Sequence, residues 1–442
     1  MFLTRPITIL LTGFLLSGSV VAGTGTELSL KEALDAATKS NLDIRLAESE
    51  KNAMQADLNK TLSLFLPQVS ISETVVLTND PLNVFGIKLK QEVVSAADFD
   101  PGLLNDPKTI TNYTTKIEIR QPLINADGWS GRSSAAHAVE ALKSKMQRTS
   151  YYVAFQVKLS YYRLALARQS LQVLDKSLEA AYANRDQAKK YFEQGMIRKS
   201  DFLFAQVRTL ELENRRLETI NQINDASNDL SVLIGMEPGT ELVPTDTLST
   251  ILPAFPEADI DQINQNRSDM RAYRSQIRAN QRVLGMQRFK FAPSLNAFAA
   301  YELNDKAAFG GSGKNWMIGA MLKWDLFTGF DQVAGLQKAK ATLTTARLQM
   351  EKAAIQNRSD ILSAYRALET SRKAVALTKI SVEQSEENYR IVSDRYTQGL
   401  EKISDLLNAE ATLSNARLQH LQSLFGFHSR FFALELMTES KL

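Results

Sequence analysis

Along two long stretches of the chain, apolar residues recur every three or four positions, as in Phe155, Leu159, Tyr162 and Leu166 and then Leu171, Leu174 and Leu178. A 3.6-residue repeat gathers such positions on one stripe, so both stretches are predicted to be amphipathic helices. The breakers agree. Residues 123–237 and 294–442 contain no proline, 132–234 contains only Gly195, and 336–425 contains only Gly399. The rest is dominated by Ala, Leu, Gln, Glu, Lys and Arg, which are good helix formers. From 133 to 192 the run is roughly 60 residues, a helix on the order of 90 Å at 1.5 Å per residue. Helices of that length are unusual in globular domains.

Between the helical stretches the period changes from 3.6 to 2. In residues 68–78, Val69, Ile71, Val75 and Leu77 alternate with Gln68, Ser70, Ser72 and Thr74, and in 113–123, Ile117 and Ile119 alternate with Lys116, Glu118 and Arg120. Two further runs, 294–303 and 316–326, complete a set of four expected strands. In the last, Trp316, Ile318, Ala320, Leu322 and Trp324 share one face. At about 3.3 Å per residue the two tryptophans stand on the order of 26 Å apart, near the height of an outer-membrane apolar band with its aromatic girdles. Trp316 and Trp324 are therefore the candidate membrane girdle. Four strands do not close a barrel, and an open strand edge in lipid leaves unpaired backbone groups that cost several kcal/mol each. Several chains must share one barrel, and three would give 12 strands.

The pattern also repeats. Asn41-Leu42-Asp43-Ile44-Arg45 before Pro67 matches Arg267-Ser268-Asp269-Met270-Arg271 before Pro293, with a common offset of 226. Farther on, Tyr191-Phe192-Glu193-Gln194-Gly195 with Ser200-Asp201 matches Arg395-Tyr396-Thr397-Gln398-Gly399 with Ser404-Asp405 at an offset of 204. The register changes between the paired strands, where 67–122 spans 55 residues and 293–325 spans 32, so the first hairpin loop is longer by 23. That loop, 79–112, is expected to be exposed, as is 304–314. The chain divides accordingly into residues 1–22, a first repeat 23–243, a linker 244–256 and a second repeat 257–442. Each repeat reads as helix, strand, loop, strand, long helix, turn near 195 or 399, long helix. In each turn glycine supplies a left-handed conformation, and the Ser-Asp pair offers a side-chain oxygen to cap the next helix.

Residues 1–22, with Arg5, the apolar run 7–16 and the small residues ending at Ala22, have the form of a signal peptide. No stretch reaches the roughly 20 apolar residues of a spanning helix. A net charge of +3 from 52 basic and 49 acidic residues gives no case for nucleic acid. Cysteine is absent, which removes disulfides, thiolate chemistry and a lipidated anchor. His137, His420 and His428 are unclustered, and no metal site, cofactor fingerprint or catalytic constellation can be placed. Gly310-Gly311-Ser312-Gly313-Lys314 imitates part of a phosphate loop, but Ala308 and Asn315 break the motif and it lies between two strands.

On these residues the chain resembles the TolC family of outer-membrane efflux and secretion proteins. The matching features are Leu30-Lys31-Glu32-Ala33-Leu34, Leu66-Pro67, Gln121-Pro122-Leu123-Ile124, Ala292-Pro293-Ser294, Trp324-Asp325-Leu326-Phe327 and the two Gly-x(5)-Asp turns. The resemblance implies a mainly α protein with a small transmembrane β part: a homotrimer whose long helical hairpins form a periplasmic α-barrel and whose strands share a 12-stranded barrel in outer-membrane lipid. It implies a passive exit duct of a tripartite efflux pump or type I secretion system, not an enzyme, partnered by a periplasmic adaptor (membrane fusion) protein and an inner-membrane transporter of RND or ABC type. The tip turns, with Gly195, Met196, Asp201, Gly399, Leu400 and Asp405, would meet the adaptor. Glu383, Glu386, Glu387, Arg390 and Asp394 are candidates for a charged gate or selectivity ring above the tip. The alternative is a soluble periplasmic coiled-coil scaffold or adaptor, which accounts for the helices but not for the tryptophan-flanked strands.

Overall fold

The computed structural model describes residues 25–253 and 259–439; the expected signal peptide and residues 254–256 of the linker lie outside them. Contacts divide the chain into two compact units. One takes in residues up to Ala36, Ser160–Ser249 and Ser381–Gln422; the other takes in Ala37–Leu159, Thr250–Ile380 and the chain from Ser423 on. Each unit draws on both sequence repeats.

The repeat is visible in the element order. Helices α1 (Leu30–Ser40) and α2 (Leu42–Lys60) precede strand β2 (Gln68–Thr78) and, after an insertion described below, β3 (Ile110–Ile124), α5 (Ala126–Glu193) and α6 (Lys199–Ile234). The second half runs through α7 (Ile260–Asn266), α8 (Ser268–Phe289), β5 (Ser294–Asp305), β6 (Gly313–Lys323), α9 (Asp331–Thr397) and α10 (Ile403–Thr438). The long helices match closely, 68 residues against 67 and 36 against 36. The single helix expected at the start of the first repeat is interrupted. Asn41 leaves helical geometry, and its side chain caps α2 by accepting from the N–H groups of Asp43 at 2.9 Å and Ile44 at 3.4 Å. Arg267, its counterpart 226 residues on, interrupts the second repeat between α7 and α8.

In the second-named unit, β2-β3-β5-β6 form an antiparallel sheet with β2 and β6 as edges. Cross-strand rows place Val69, Ile119, Ala299 and Ile318 together, and Ile71, Ile117, Tyr301 and Trp316 beside them. This apolar face is open, with Ile71, Ile318 and Trp316 70–75% exposed. The opposite face carries Lys116, Glu118, Arg120, Glu302 and Asn304, where Lys116 pairs with Glu118 at 3.1 Å and Arg120 with the same carboxylate. Glu73 interrupts the apolar stripe of β2 and is satisfied there by the Thr115 hydroxyl and by the Phe309 N–H at 3.1 Å. No described helix is long and apolar enough to cross a membrane.

Two expectations about this region need correction. Strand β6 spans Gly313–Lys323, not 316–326, so Trp324 stands one residue beyond it, its indole N–H donating to the Phe291 carbonyl at 3.0 Å. The 79–112 segment is also more than an exposed loop. It forms α3 (Pro81–Lys90), a 3-10 turn at Ala96–Phe99 and α4 (Pro101–Asn105), with Val84 and Ile87 buried. Both helices begin on Asp-Pro: Asp80 caps α3 and Asp100 caps α4, and the proline takes the first turn, where its missing N–H costs nothing.

In the first-named unit, short parallel strands β1 (Thr26–Leu28) and β4 (Leu242–Pro244) pair the start of the described chain with the segment after α6. Tyr161, fully buried, closes this junction. Its hydroxyl lies 2.9 Å from both the Leu28 carbonyl and the Asp246 carboxylate and accepts the Asp246 N–H at 3.1 Å. Burial raises its pKa to about 12.

Candidate functional site

The two turns between long helices lie in the same unit and share one backbone solution. Gly195 has φ +75° and Gly399 φ +74°. In the first turn the Gly195 N–H donates to Phe192 O at 2.9 Å and Met196 N–H to Tyr191 O at 2.8 Å; in the second, Gly399 N–H donates to Tyr396 O at 3.0 Å and Leu400 N–H to Arg395 O at 2.9 Å. Paired bonds of this kind, closed by a left-handed residue, form a Schellman cap that satisfies the last carbonyls of each helix. Nothing lies within 4 Å of where a Cβ would sit on either glycine. The residue type is therefore set by the dihedral angle alone. Met196 and Leu400, the next residue in each turn, are 70% and 61% exposed.

After each turn the caps differ in detail. Asp201 accepts the Arg198 N–H at 3.3 Å, reaching back from the third position of α6, while Ser200 bonds only to Asp201. Asp405 accepts from the Ser404 hydroxyl at 3.4 Å, and Arg395 spans the second turn to Glu401 at 2.9 Å. Asp201 is half-buried and Asp405 exposed.

Behind the turns lies a common apolar core. Ala188, Ala205, Tyr396, Ile403, Leu406 and Leu407 are buried together, with Tyr191, Phe202 and Tyr389 packed against them. Tyr191 and Tyr396, one from each repeat, bring their rings to 6.2 Å. Burial lifts the Tyr396 hydroxyl to about 12 and the Tyr389 hydroxyl above its ordinary value. Arg208 of α6 and Glu410 of α10 form a buried ion pair at 3.0 Å, with side chains 9% and 4% exposed. Desolvation pushes the Glu410 carboxyl up despite the pull of the guanidinium. Sequence reading missed Arg208 and Glu410, because nothing in a local window marks a charge as buried.

The acidic candidates on α9 separate into two groups. Glu387, Arg390 and Asp394 form an exposed ladder, with Arg390 bonded to Glu387 at 2.7 and 2.8 Å and to Asp394 at 3.0 Å. These bonds hold the Glu387 carboxyl below its ordinary range and raise the Arg390 guanidinium. Glu383 lies one turn earlier on the same exposed stripe. Glu386 belongs elsewhere, for it accepts from Arg417 of α10 at 2.8 and 3.2 Å.

The chain matches the outer membrane efflux protein family over residues 33–236 and 260–424. It is 20% identical over 408 residues to outer membrane protein TolC of Salmonella enteritidis, covering 88% of this chain and 78% of that protein. Nodulation protein T of Rhizobium leguminosarum bv. trifolii is 23% identical over 275 residues, 59% of this chain and 56% of the relative, a match that spans little more than half of that protein. Among solved structures, a membrane protein from Pseudomonas aeruginosa superposes with TM-score 0.81 at 16% identity, covering 92% of each chain. The outer membrane protein VceC of Vibrio cholerae superposes with TM-score 0.76 at 16% identity, covering 92% of this chain and 95% of that one.

Proposed function

The chain belongs to the outer membrane efflux protein family, and is thus an outer-membrane channel with a periplasmic helical extension and not an enzyme; from that premise we propose that it works as a homotrimeric, passive exit duct. In this reading the tip turns dock on a periplasmic adaptor, and an inner-membrane transporter supplies the energy for efflux or for secretion of a polypeptide. The observation that carries it is the sheet. Four strands with an open apolar face and two free edges, β2 and β6, are viable in lipid only if the edges pair with other copies. Three copies close a barrel of 12 strands, an even number within the bacterial range.

The tip assignment rests on position and on exposed apolar residues. Met196 and Leu400 stand at the end of each hairpin on a backbone the Schellman bonds hold rigid, which suits an end-on contact. The ladder of Glu387, Arg390 and Asp394 begins one turn from the second tip. Repeated in three copies around an axis, it would give the passage alternating charge at its narrow end. The test is extraction of the mature protein from the outer-membrane fraction and determination of its native mass in detergent, with cross-linking. A membrane-embedded trimer is expected. A monomer or dimer in the soluble periplasmic fraction would overturn the duct and leave a helical scaffold.

A further inference from the structure

The segment between β2 and β3 has no counterpart in the second repeat, and it sits on the polar face of the sheet. Gln91, 1% exposed, donates to Asn112 Oδ1 at 2.9 Å and to the Thr111 carbonyl at 3.0 Å. Asn112 in turn donates to Asn304 Oδ1 at 2.9 Å, and both asparagines are buried. Lys90 at the end of α3 reaches Glu302 at 3.4 Å. A Cβ on Gly313 would fall 1.8 Å from the Lys90 carbonyl oxygen, so the end of α3 rests directly on the backbone of β6. Asn112, Glu302, Asn304 and Gly313 share the face of Lys116 and Glu118, opposite Ile117, Ile318 and Trp316. In a barrel that turns its apolar face to lipid, α3 is therefore inside. It is also at the end of the strands away from α5 and α9, which follow β3 and β6 at their other ends.

We propose that residues 80–105 form an exit constriction, one copy from each chain of the trimeric duct, which narrows the outer mouth and sets the upper size of what can leave. This rests on the shared-barrel reading above. The polar network of Gln91, Asn112 and Asn304 anchors the segment, and Gly313 is the residue whose missing side chain admits it.

The chain has no cysteine, so single cysteines report cleanly. Met321 lies on the polar face of β6, eight residues from Gly313 toward the helices, and Leu322 on the apolar face beside it. Cells carrying Met321→Cys are treated from outside with hydrophilic maleimides of increasing polymer size, too large for general porins. The intact chain should label only with the smaller reagents. Replacing 80–105 with a short turn should shift the cut-off upward, and so should Gly313→Val, which forces Lys90 off the sheet, even if the deletion is poorly assembled. Unchanged cut-offs in assembled trimers of both variants would overturn the constriction. Failure of the underlying reading looks different: Leu322→Cys would then label with hydrophilic reagents as readily as Met321→Cys, or the protein would not run as a trimer.

Discussion

Single residues act here through two distinct kinds of constraint. Gly195 and Gly399 are required by positive φ in open space, whereas Gly313 is required by a neighbour that leaves no room. An L residue in the left-handed region costs about 1–2 kcal/mol, and a β-branched one more. Gly399→Val and Gly195→Val are accordingly expected to impair export in a transport assay while the native mass remains that of the assembled wild type. Export retained by both variants would remove the tips from the docking role. The Arg208–Glu410 pair makes the opposite prediction, loss of stability. Arg208→Ala strands a buried carboxylate and should destabilise by about 3–5 kcal/mol, whereas Arg208→Met combined with Glu410→Leu should cost little; denaturant unfolding of the detergent-solubilised protein separates the two. The lone glycines were legible in sequence because each interrupted a glycine-free helical run. The ion pair was not, since its partners stand 202 residues apart and each looks like ordinary solvated helix charge.

Among the elements, strands were read almost to the residue where one face alternates cleanly, as in β2. Where the alternation is not the guide, the bounds shift. The expected last strand, 316–326, lies three residues too far along the chain, because pairing runs from Gly313 to Lys323. The prolines of 79–112 suggested irregular loop, yet Pro81 and Pro101 each follow an Asp and begin a helix. Asp-Pro was the available signal. The sheet predicts an asymmetric response to charge: Ile318→Arg on the apolar face should cost about 2–4 kcal/mol near the bilayer midplane and abolish recovery of trimer from the outer membrane, while Met317→Arg on the polar face should not. The insertion predicts a pH response. Asp98 is held at about 2, chiefly by a hydrogen bond from Lys88 and then by the Ser95 N–H. Its contribution to stability is therefore complete above the ordinary pKa of 3.8 and lost as pH falls toward about 2. Proteolysis of the 79–109 segment in intact trimers should rise over that window in the wild type, and in Asp98→Asn should already be high at neutral pH.

At the scale of the molecule, the duplicated plan was legible because two offsets, 226 and 204, each hold over many residues, and because the change between them falls in one place. What sequence did not reveal was that contacts would group the chain across its repeats, with each compact unit taking helices from both halves. That grouping depends on packing between residues about 200 positions apart, which no local pattern carries. The near equality of the two halves also has a consequence for docking. Helices of 68 and 67 residues, followed by partners of 36 each, end in turns with the same left-handed glycine and the same pair of capping bonds. In the proposed trimer the turns of the two repeats would be nearly equivalent, whereas the segment between β2 and β3 occurs once per chain. A partner that docked end-on on the proposed trimer would therefore meet six nearly interchangeable turns, two from each chain.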